Sequence, residues 1–220
     1  MRVYHLPPKV KGLLFDMDMT LYRHEDYYKS QIKNQVILLA REEGIPVYEL
    51  EERLDRWKTA WSETHDGHQP SFGNTLLGAL GVPIERSVDL RRRAIRPEDY
   101  LSPDARLAET LEVLSRRFRL VLVTNNPADI AYRTLAVLGV QRFFPQIIGL
   151  DEAGESKPSP EAFRLGLQSL ATAPETTVSV GDRYAVDLAV PLAWGMGGIL
   201  VETMEDVYSL PRVFHEAGKS

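Results

Sequence analysis

The sequence predicts an α/β fold, in which a mainly parallel sheet lies between two layers of helices and an all-helical insert follows the first strand. Three observations support this prediction. From residue 98 onward, short apolar runs alternate with amphipathic stretches, the pattern of a parallel sheet wrapped by helices. Residues 25–97 show helical spacing without a convincing strand. Charged and polar residues follow several apolar runs, where open parallel sheets bind their ligands.

The first strand is predicted at residues 10–15, a short apolar run that reads as buried. Four helices follow. Residues 25–44 place apolar side chains on one side and end at a glycine, and residues 46–67 carry Leu and Trp at spacings of three or four. Residues 72–81 and 84–95 complete the predicted insert.

The remaining elements alternate in type. Helices are predicted at residues 103–118, 127–140, 159–171 and 185–195. Strands are predicted at residues 119–126, 146–150, 176–182 and 197–202. Ser159 and Pro160 fit the N-cap and the first helical position of the third of these helices.

Length and composition narrow the class of protein. The chain has 220 residues, 44% of them hydrophobic and 26% charged, as in a globular protein with one large domain or a core plus an insert. The net charge of −5 disfavours a nucleic-acid partner or an anionic membrane, and Arg91–Arg93 are interpreted as a solvated helix face. No apolar segment reaches the length of a membrane span, and there are no cysteines, which excludes thiolate chemistry. We expect a cytoplasmic enzyme or binding protein.

Polar residues collect at one predicted edge of the sheet. In chain order they are Asp16, Asp18, Thr124, Asn125, Lys157, Asp182 and Asp187. Singly, an aspartate after a strand is often a turn residue or an N-cap, and a lysine before proline is usually a surface group. Several acids in one crevice repel one another, however, and Mg²⁺ suits a few carboxylates plus a substrate phosphate. One carboxylate can attack phosphorus while a second acts as general acid and base.

The motifs DMDMT, LVTNN, SKPSPEAF and VGDRYAVD, in this order, resemble the four motifs of the haloacid dehalogenase superfamily of phosphohydrolases, and the resemblance covers nearly the whole chain. It implies a Rossmann-like catalytic core at residues 1–22 and 98–220, with a helical cap of the first type at residues 23–97. It also implies a Mg²⁺-dependent phosphatase that acts on a small phosphorylated metabolite. We expect a monomer or homodimer.

The resemblance assigns a role to each motif residue. Asp16 is the expected nucleophile and Asp18 the general acid and base. The expected metal ligands are Asp16, Asp18 through its main-chain carbonyl, and Asp182, with Asp187 positioning a metal-bound water or Lys157. The expected phosphoryl-binding groups are Thr124, Asn125 and Lys157.

Two details refine this assignment. Met19 stands where many members have glycine or asparagine, which bears on the local turn. Asp18 argues against the dehalogenase branch, which has no acid/base there, and DMDMTLY is similar to nucleotidase-like members.

The sequence of the predicted cap does not identify the substrate. Candidates for substrate contact are Arg23, His24, Trp57, Trp61, His65 and His68, although tryptophans at helical spacing are more often core residues. A phosphotransferase such as a sugar phosphomutase, or a non-catalytic regulatory protein of the same fold, remains an alternative.

Overall fold

A six-stranded sheet forms the centre of the fold. The computed structural model describes residues 1–217. The strands are β1 Arg2–His5, β2 Gly12–Phe15, β3 Arg119–Val123, β4 Gln146–Ile148, β5 Thr177–Gly181 and β6 Gly197–Leu200. Their order is β1-β6-β5-β2-β3-β4. All neighbours are parallel except β1, which pairs with β6 in the antiparallel sense. The predicted α/β class is confirmed.

Strand β1 is one of the elements that the sequence pattern does not predict, together with the helices at Leu150–Ala153 and Met204–Ala217. It lies at the edge of the sheet, and its four residues are exposed or half-buried. An edge strand that faces solvent carries no continuous apolar run, so hydrophobic pattern alone does not distinguish it from a loop.

Helices cover the sheet and form the insert. Within the described residues they are α1 Glu25–Glu43, α2 Val47–Glu63, α3 Phe72–Leu80, α4 Ile84–Ala94, α5 Ala105–Ser115, α6 Ala128–Leu138, α7 Leu150–Ala153, α8 Pro160–Leu170, α9 Ala189–Ala193 and α10 Met204–Ala217. Helices α1 to α4, which we call the insert, follow β2 as predicted. None of the helices has the length and apolar character that crossing a bilayer requires, in the part of the chain that is described.

Alternation along β2 divides the core into two layers. Leu13 and Phe15 belong to one apolar cluster and Leu14 to another, on opposite faces of the sheet. The insert has a third cluster, which includes Leu39 and Leu54. A separate core is what a cap domain requires, but the limits 1–22, 23–97 and 98–220 stay predictions.

The register of the sheet brings three strand ends together. Phe15 of β2 pairs with Leu122 of β3 and with Val180 of β5. Because these strands are parallel, the residues that follow them lie along one edge of the sheet.

Candidate active site

Lys157 is the centre of a buried ionic network. Its Nζ donates to Asp16 Oδ1 at 2.7 Å, to Asp187 Oδ1 at 2.8 Å and to the Val123 carbonyl oxygen at 2.8 Å. The side chain is only 1% exposed. Burial opposes its charge, but the carboxylates of Asp16 and Asp187 hold the pKa of Lys157 above its ordinary value. Lys157 is therefore a cation at neutral pH, with all three donors in use.

Asn125 positions this lysine. Its Oδ1 accepts a hydrogen bond from the Lys157 main-chain N–H at 2.7 Å, and its Nδ2 donates to the Lys157 carbonyl oxygen at 3.4 Å. Thr124 is buried, and its Oγ1 accepts from the Asn126 N–H at 3.1 Å. Asn125 therefore lies beside Lys157, and Thr124 lies at the start of the segment that leads to α6.

Asp16 and Asp182 are carboxylates whose charge the fold disfavours. Burial raises the pKa of Asp16 to about 6, against the lowering effect of Lys157. Burial, with Asp16 and Asp187 nearby, raises the pKa of Asp182 to about 7. Asp16 Oδ2 accepts from Thr20 Oγ1 at 2.9 Å, whereas the buried Asp182 Oδ1 has no hydrogen-bond partner. A bound cation would compensate both carboxylates.

The chemistry of these groups fits a hard divalent cation. Asp16, Asp182 and Asp187 each offer an oxygen, and these oxygens lie within 4.8 Å of one another. Asp187 already accepts from Lys157 and, through Oδ2, from the Arg183 N–H at 3.0 Å. Asp182 therefore has the most available oxygen, and Mg²⁺ prefers such oxygen ligands.

Local backbone structure places Asp187 against the sheet. Residues Tyr184–Leu188 form a π-helical turn that precedes α9, where the sequence predicts a regular helix. A Cβ at Gly181 would lie 2.4 Å from Asp187 Cβ, so glycine at the end of β5 permits this close approach.

Asp18 is held by a separate set of donors. Its Oδ2 accepts from Asn126 Nδ2 at 2.8 Å, and its Oδ1 accepts from Gln31 Nε2 at 3.0 Å and from the Tyr22 hydroxyl. Gln31 lies on α1, so the insert contacts the predicted acid/base directly. Sequence reasoning missed Asn126, although it directly follows the predicted pair Thr124 and Asn125.

Met19 adopts a left-handed conformation, with φ of 60°. Glycine and asparagine tolerate this region best, and the sequence marked this turn as unusual. Met19 follows Asp16 and Asp18 in the chain and precedes Thr20, whose hydroxyl donates to Asp16.

A small cavity of about 50 Å³ opens between the strand ends and the insert. Its lining residues are Asp16, Asp18, Tyr28, Gln31, Ile32, Gln35, Ser71, Phe72, Arg91, Asn125, Asn126 and Arg183. Arg91 is 3% exposed, so interpreting Arg91–Arg93 as a solvated face is wrong for its first residue, because that side of α4 faces the cavity. Arg92 and Arg93 are exposed, as expected.

Arg183 is a second cavity residue that sequence reasoning missed. Burial opposes its charge, but Asp187 and other acidic neighbours raise its pKa above the ordinary value. Its Nε lies 3.9 Å from Asp182 Oδ1, which is an ion-pair distance without a hydrogen bond. It follows Asp182 directly in the sequence, which is the signal that could have identified it.

The substrate-contact candidates from the sequence are not among the described lining residues of this cavity. Trp57, Trp61 and His65 stack on one another, with ring-centroid distances of 6.4 Å and 3.7 Å. His24 caps α1 by accepting from the Tyr27 N–H, and Arg23 donates to the Met19 carbonyl oxygen. His68 is exposed.

Comparison with known proteins places the chain in a family. Residues 10–192 match the family model of haloacid dehalogenase-like hydrolases. The glyceraldehyde 3-phosphate phosphatase of Methanopyrus kandleri is 28% identical over 184 residues, covering 81% of this chain and 78% of the relative. The pyrophosphatase PpaX of Listeria welshimeri is 28% identical over 225 residues, covering 93% and 97% of the two chains.

Solved structures share the fold. An HAD phosphatase from Thermococcus onnurineus has a TM-score of 0.63 at 22% identity, covering 93% of this chain and 98% of its own. The putative HAD-hydrolase YfnB from Bacillus subtilis, bound to magnesium, has a TM-score of 0.58 at 18% identity, with coverages of 92% and 99%.

Proposed function

Because the chain belongs to the haloacid dehalogenase-like hydrolases, we propose that it is a Mg²⁺-dependent phosphatase that hydrolyses a small phosphomonoester through an aspartyl-phosphate on Asp16. The observation that carries this proposal is the contact of a buried Asp16 with Lys157, beside Asp182 and Asp187. A carboxylate in this position has a fixed cation on one oxygen, and the proposed metal ligands lie next to it. The phosphatase relatives support the same reaction class.

The proposed reaction has two displacement steps at phosphorus. An oxygen of Asp16 attacks, the bond to the substrate oxygen breaks, and Asp18 gives its proton to that leaving oxygen. Asp18 then takes a proton from water, the water oxygen attacks the phosphorus, and the P–O bond to Asp16 breaks to release inorganic phosphate. The donors on Asp18 from Asn126, Gln31 and Tyr22 hold its carboxyl group in place for both transfers.

Positive groups balance the charge of the transferring phosphoryl group. Lys157 is fixed by three hydrogen bonds, and we assign Thr124 and Asn125 to the same phosphoryl-binding region. Asp16, Asp182 and the Asp18 main-chain carbonyl are the proposed Mg²⁺ ligands, and Asp187 positions Lys157. Mg²⁺, when bound, supplies the charge that offsets the carboxylates and the phosphoryl oxygens.

The insert supports a small substrate. A cavity of about 50 Å³ holds only a few water-sized positions, since one water needs roughly 10–15 Å³ by this measure. Gln31 on α1 contacts Asp18, so the insert closes over the reacting groups and limits access of bulk water.

Phosphate release from a panel of small phosphomonoesters tests the proposal, with Mg²⁺ and with a chelator. We expect Mg²⁺-dependent release by the wild type and a loss of at least ~10³-fold in Asp16→Asn, because the nucleophile is removed. Asp99→Asn, an exposed aspartate, is the matched control and should keep wild-type activity.

The outcome also separates the alternatives. Activity that survives in Asp16→Asn contradicts the covalent mechanism. Isomerisation of a sugar phosphate faster than phosphate release would instead assign a phosphomutase. A folded protein that turns over nothing on the panel would assign a regulatory role.

A further inference from the structure

Arg91 is a buried cation without a carboxylate partner among the described residues. Its Nη1 donates to the Ser87 carbonyl oxygen at 3.1 Å and to the Ser87 hydroxyl, and these are its described hydrogen bonds. Its neighbours on α4 differ, since Arg92 pairs with Asp129 and Asp151, and Arg93 with Glu42 and Asp89.

The surroundings of Arg91 do not compensate its charge. The guanidinium lies 5.9 Å from the centroid of the Phe72 ring, a weak contact at that distance. Burial lowers the pKa of Arg91 to about 10, and Asp18 is the acid that acts against this. A buried, unpaired charge destabilises a fold unless a ligand or ion compensates it. Arg91 also lines the cavity that contains Asp16 and Asp18.

A second group in the cavity is also unpartnered. Gln35 is 2% exposed, and its Nε2 donates to the Gln31 carbonyl oxygen at 2.8 Å, but its Oε1 has no hydrogen-bond partner. Buried amide oxygens normally accept a hydrogen bond. The insert side of the cavity therefore offers a cation and an acceptor to the part of a substrate that is not the reacting phosphate.

We propose that Arg91 binds a second anionic group on the substrate, so that this protein selects phosphomonoesters that carry a carboxylate or a further phosphate on a short skeleton. The inference rests on the proposed phosphatase activity and names its substrate class. Arg91 is then a specificity-determining residue, and Gln35 accepts from a hydroxyl of the same substrate. Free guanidinium donors at Nε and Nη2 suit the planar geometry of a carboxylate.

A matched pair of substrates tests this proposal. Glycerol 3-phosphate and 3-phosphoglycerate share a three-carbon skeleton and a phosphate, but only the second has a carboxylate. We expect the wild type to prefer 3-phosphoglycerate in kcat/KM by about tenfold to a hundredfold, mainly through KM, because the pairing is charge-assisted and desolvated. Glycerol 1,3-bisphosphate, which carries a second phosphate on the same three-carbon skeleton, is a third substrate. A larger loss of kcat/KM in Arg91→Gln with glycerol 1,3-bisphosphate than with 3-phosphoglycerate identifies the second group as a phosphate, and the reverse identifies a carboxylate.

Variants at Arg91 connect the preference to this side chain. In Arg91→Gln the preference ratio should fall towards one, and Arg91→Lys should retain part of it. Arg93→Gln, the matched control on the same helix, should leave the ratio unchanged. Circular dichroism verifies the fold of each variant. Since Arg91→Lys keeps the charge in the cavity, it provides the comparison if Arg91→Gln does not fold.

An equal ratio in wild type and folded Arg91→Gln overturns the inference, and so does a wild-type preference for glycerol 3-phosphate. If none of the substrates releases phosphate, the proposed activity fails separately, and titration calorimetry with 3-phosphoglycerate decides the inference. Binding that weakens in Arg91→Gln supports it, and binding of equal strength contradicts it.

Discussion

Replacing Lys157 by methionine is the perturbation with the clearest consequence for this site. Lys157→Met keeps most of the side-chain volume but removes the cation that donates to Asp16 and Asp187. Two carboxylates, 5% and 1% exposed, then lie close together without the ammonium group that bridges them. The Val123 carbonyl oxygen also loses its donor.

The expected loss of stability follows from the interactions that Lys157 no longer makes. Removing one partner of a buried ion pair costs about 3–5 kcal/mol, since the remaining charge is left desolvated. Asp16 reduces this penalty by taking up a proton, because burial already raises its pKa to about 6, so we expect the lower end of this range, about 3 kcal/mol, near neutral pH.

Urea unfolding, followed by circular dichroism, measures this loss at constant m-value. Lys29→Met is the matched control, because Lys29 pairs with Glu25 on the surface at 68% side-chain exposure. Such exposed pairs contribute about 0.3–0.5 kcal/mol, so the control should change stability little.

The destabilisation of Lys157→Met should also depend on pH in one direction. Lys157 lowers the pKa of Asp16, so its removal moves that pKa upward, and the unfavourable anion is then present only at higher pH. The destabilisation of Lys157→Met should therefore shrink as the pH falls from about 7.5 to about 5. A loss under about 1 kcal/mol, or an equal loss at both pH values, would refute the reasoning.

Three further predictions concern the metal site and the first motif. Asp182→Asn should keep the metal-free stability near neutral pH, because burial already raises the pKa of Asp182 to about 7. Mg²⁺ at a hundredfold excess over Kd should stabilise the wild type by up to about 2.7 kcal/mol in thermal unfolding, and this stabilisation should be absent from the variant. The pKa values of Asp16 and Asp182 are raised from 3.8 to about 6 and about 7, so the metal-free stability should fall as the pH rises from about 4 to about 7. Over the same pH range, calorimetry should find that Mg²⁺ binds more tightly at higher pH and that binding releases protons. Met19→Gly should leave stability unchanged or raise it by up to about 1 kcal/mol in urea unfolding, since it relieves a φ of 60° at the cost of backbone entropy.

The sequence predicted those parts of the site that follow strand ends. Asp16, Thr124 and Asp182 come directly after β2, β3 and β5, and parallel register alone places such residues along one edge. Lys157 was predicted because it lies in the loop after the predicted strand at residues 146–150, and the resemblance then placed it in a motif. The roles of these residues stay predictions that the experiments above test.

Side chains supplied by the insert could not be predicted in the same way. Gln31, Gln35 and Arg91 face the cavity because α1 and α4 pack in one orientation over the sheet. Helical periodicity separates an apolar face from a polar one, but it does not say which polar residues turn inward. For that reason the sequence alone predicts Arg91 to be part of a solvated face.

The most direct test of the central claim is chemical trapping of the phosphoryl group on Asp16. Asp18→Asn removes the group that protonates the leaving oxygen and later deprotonates water. Because p-nitrophenolate leaves without a proton, only the second step is blocked with this substrate. The covalent species should therefore accumulate when the variant is mixed with radiolabelled p-nitrophenyl phosphate and Mg²⁺ and quenched in acid. We expect a phosphorylated peptide that contains Asp16 and loses its phosphate to hydroxylamine, and no such peptide from a variant that also carries Asp16→Asn. Phosphate release without any labelled peptide, or label on a different residue, would contradict it.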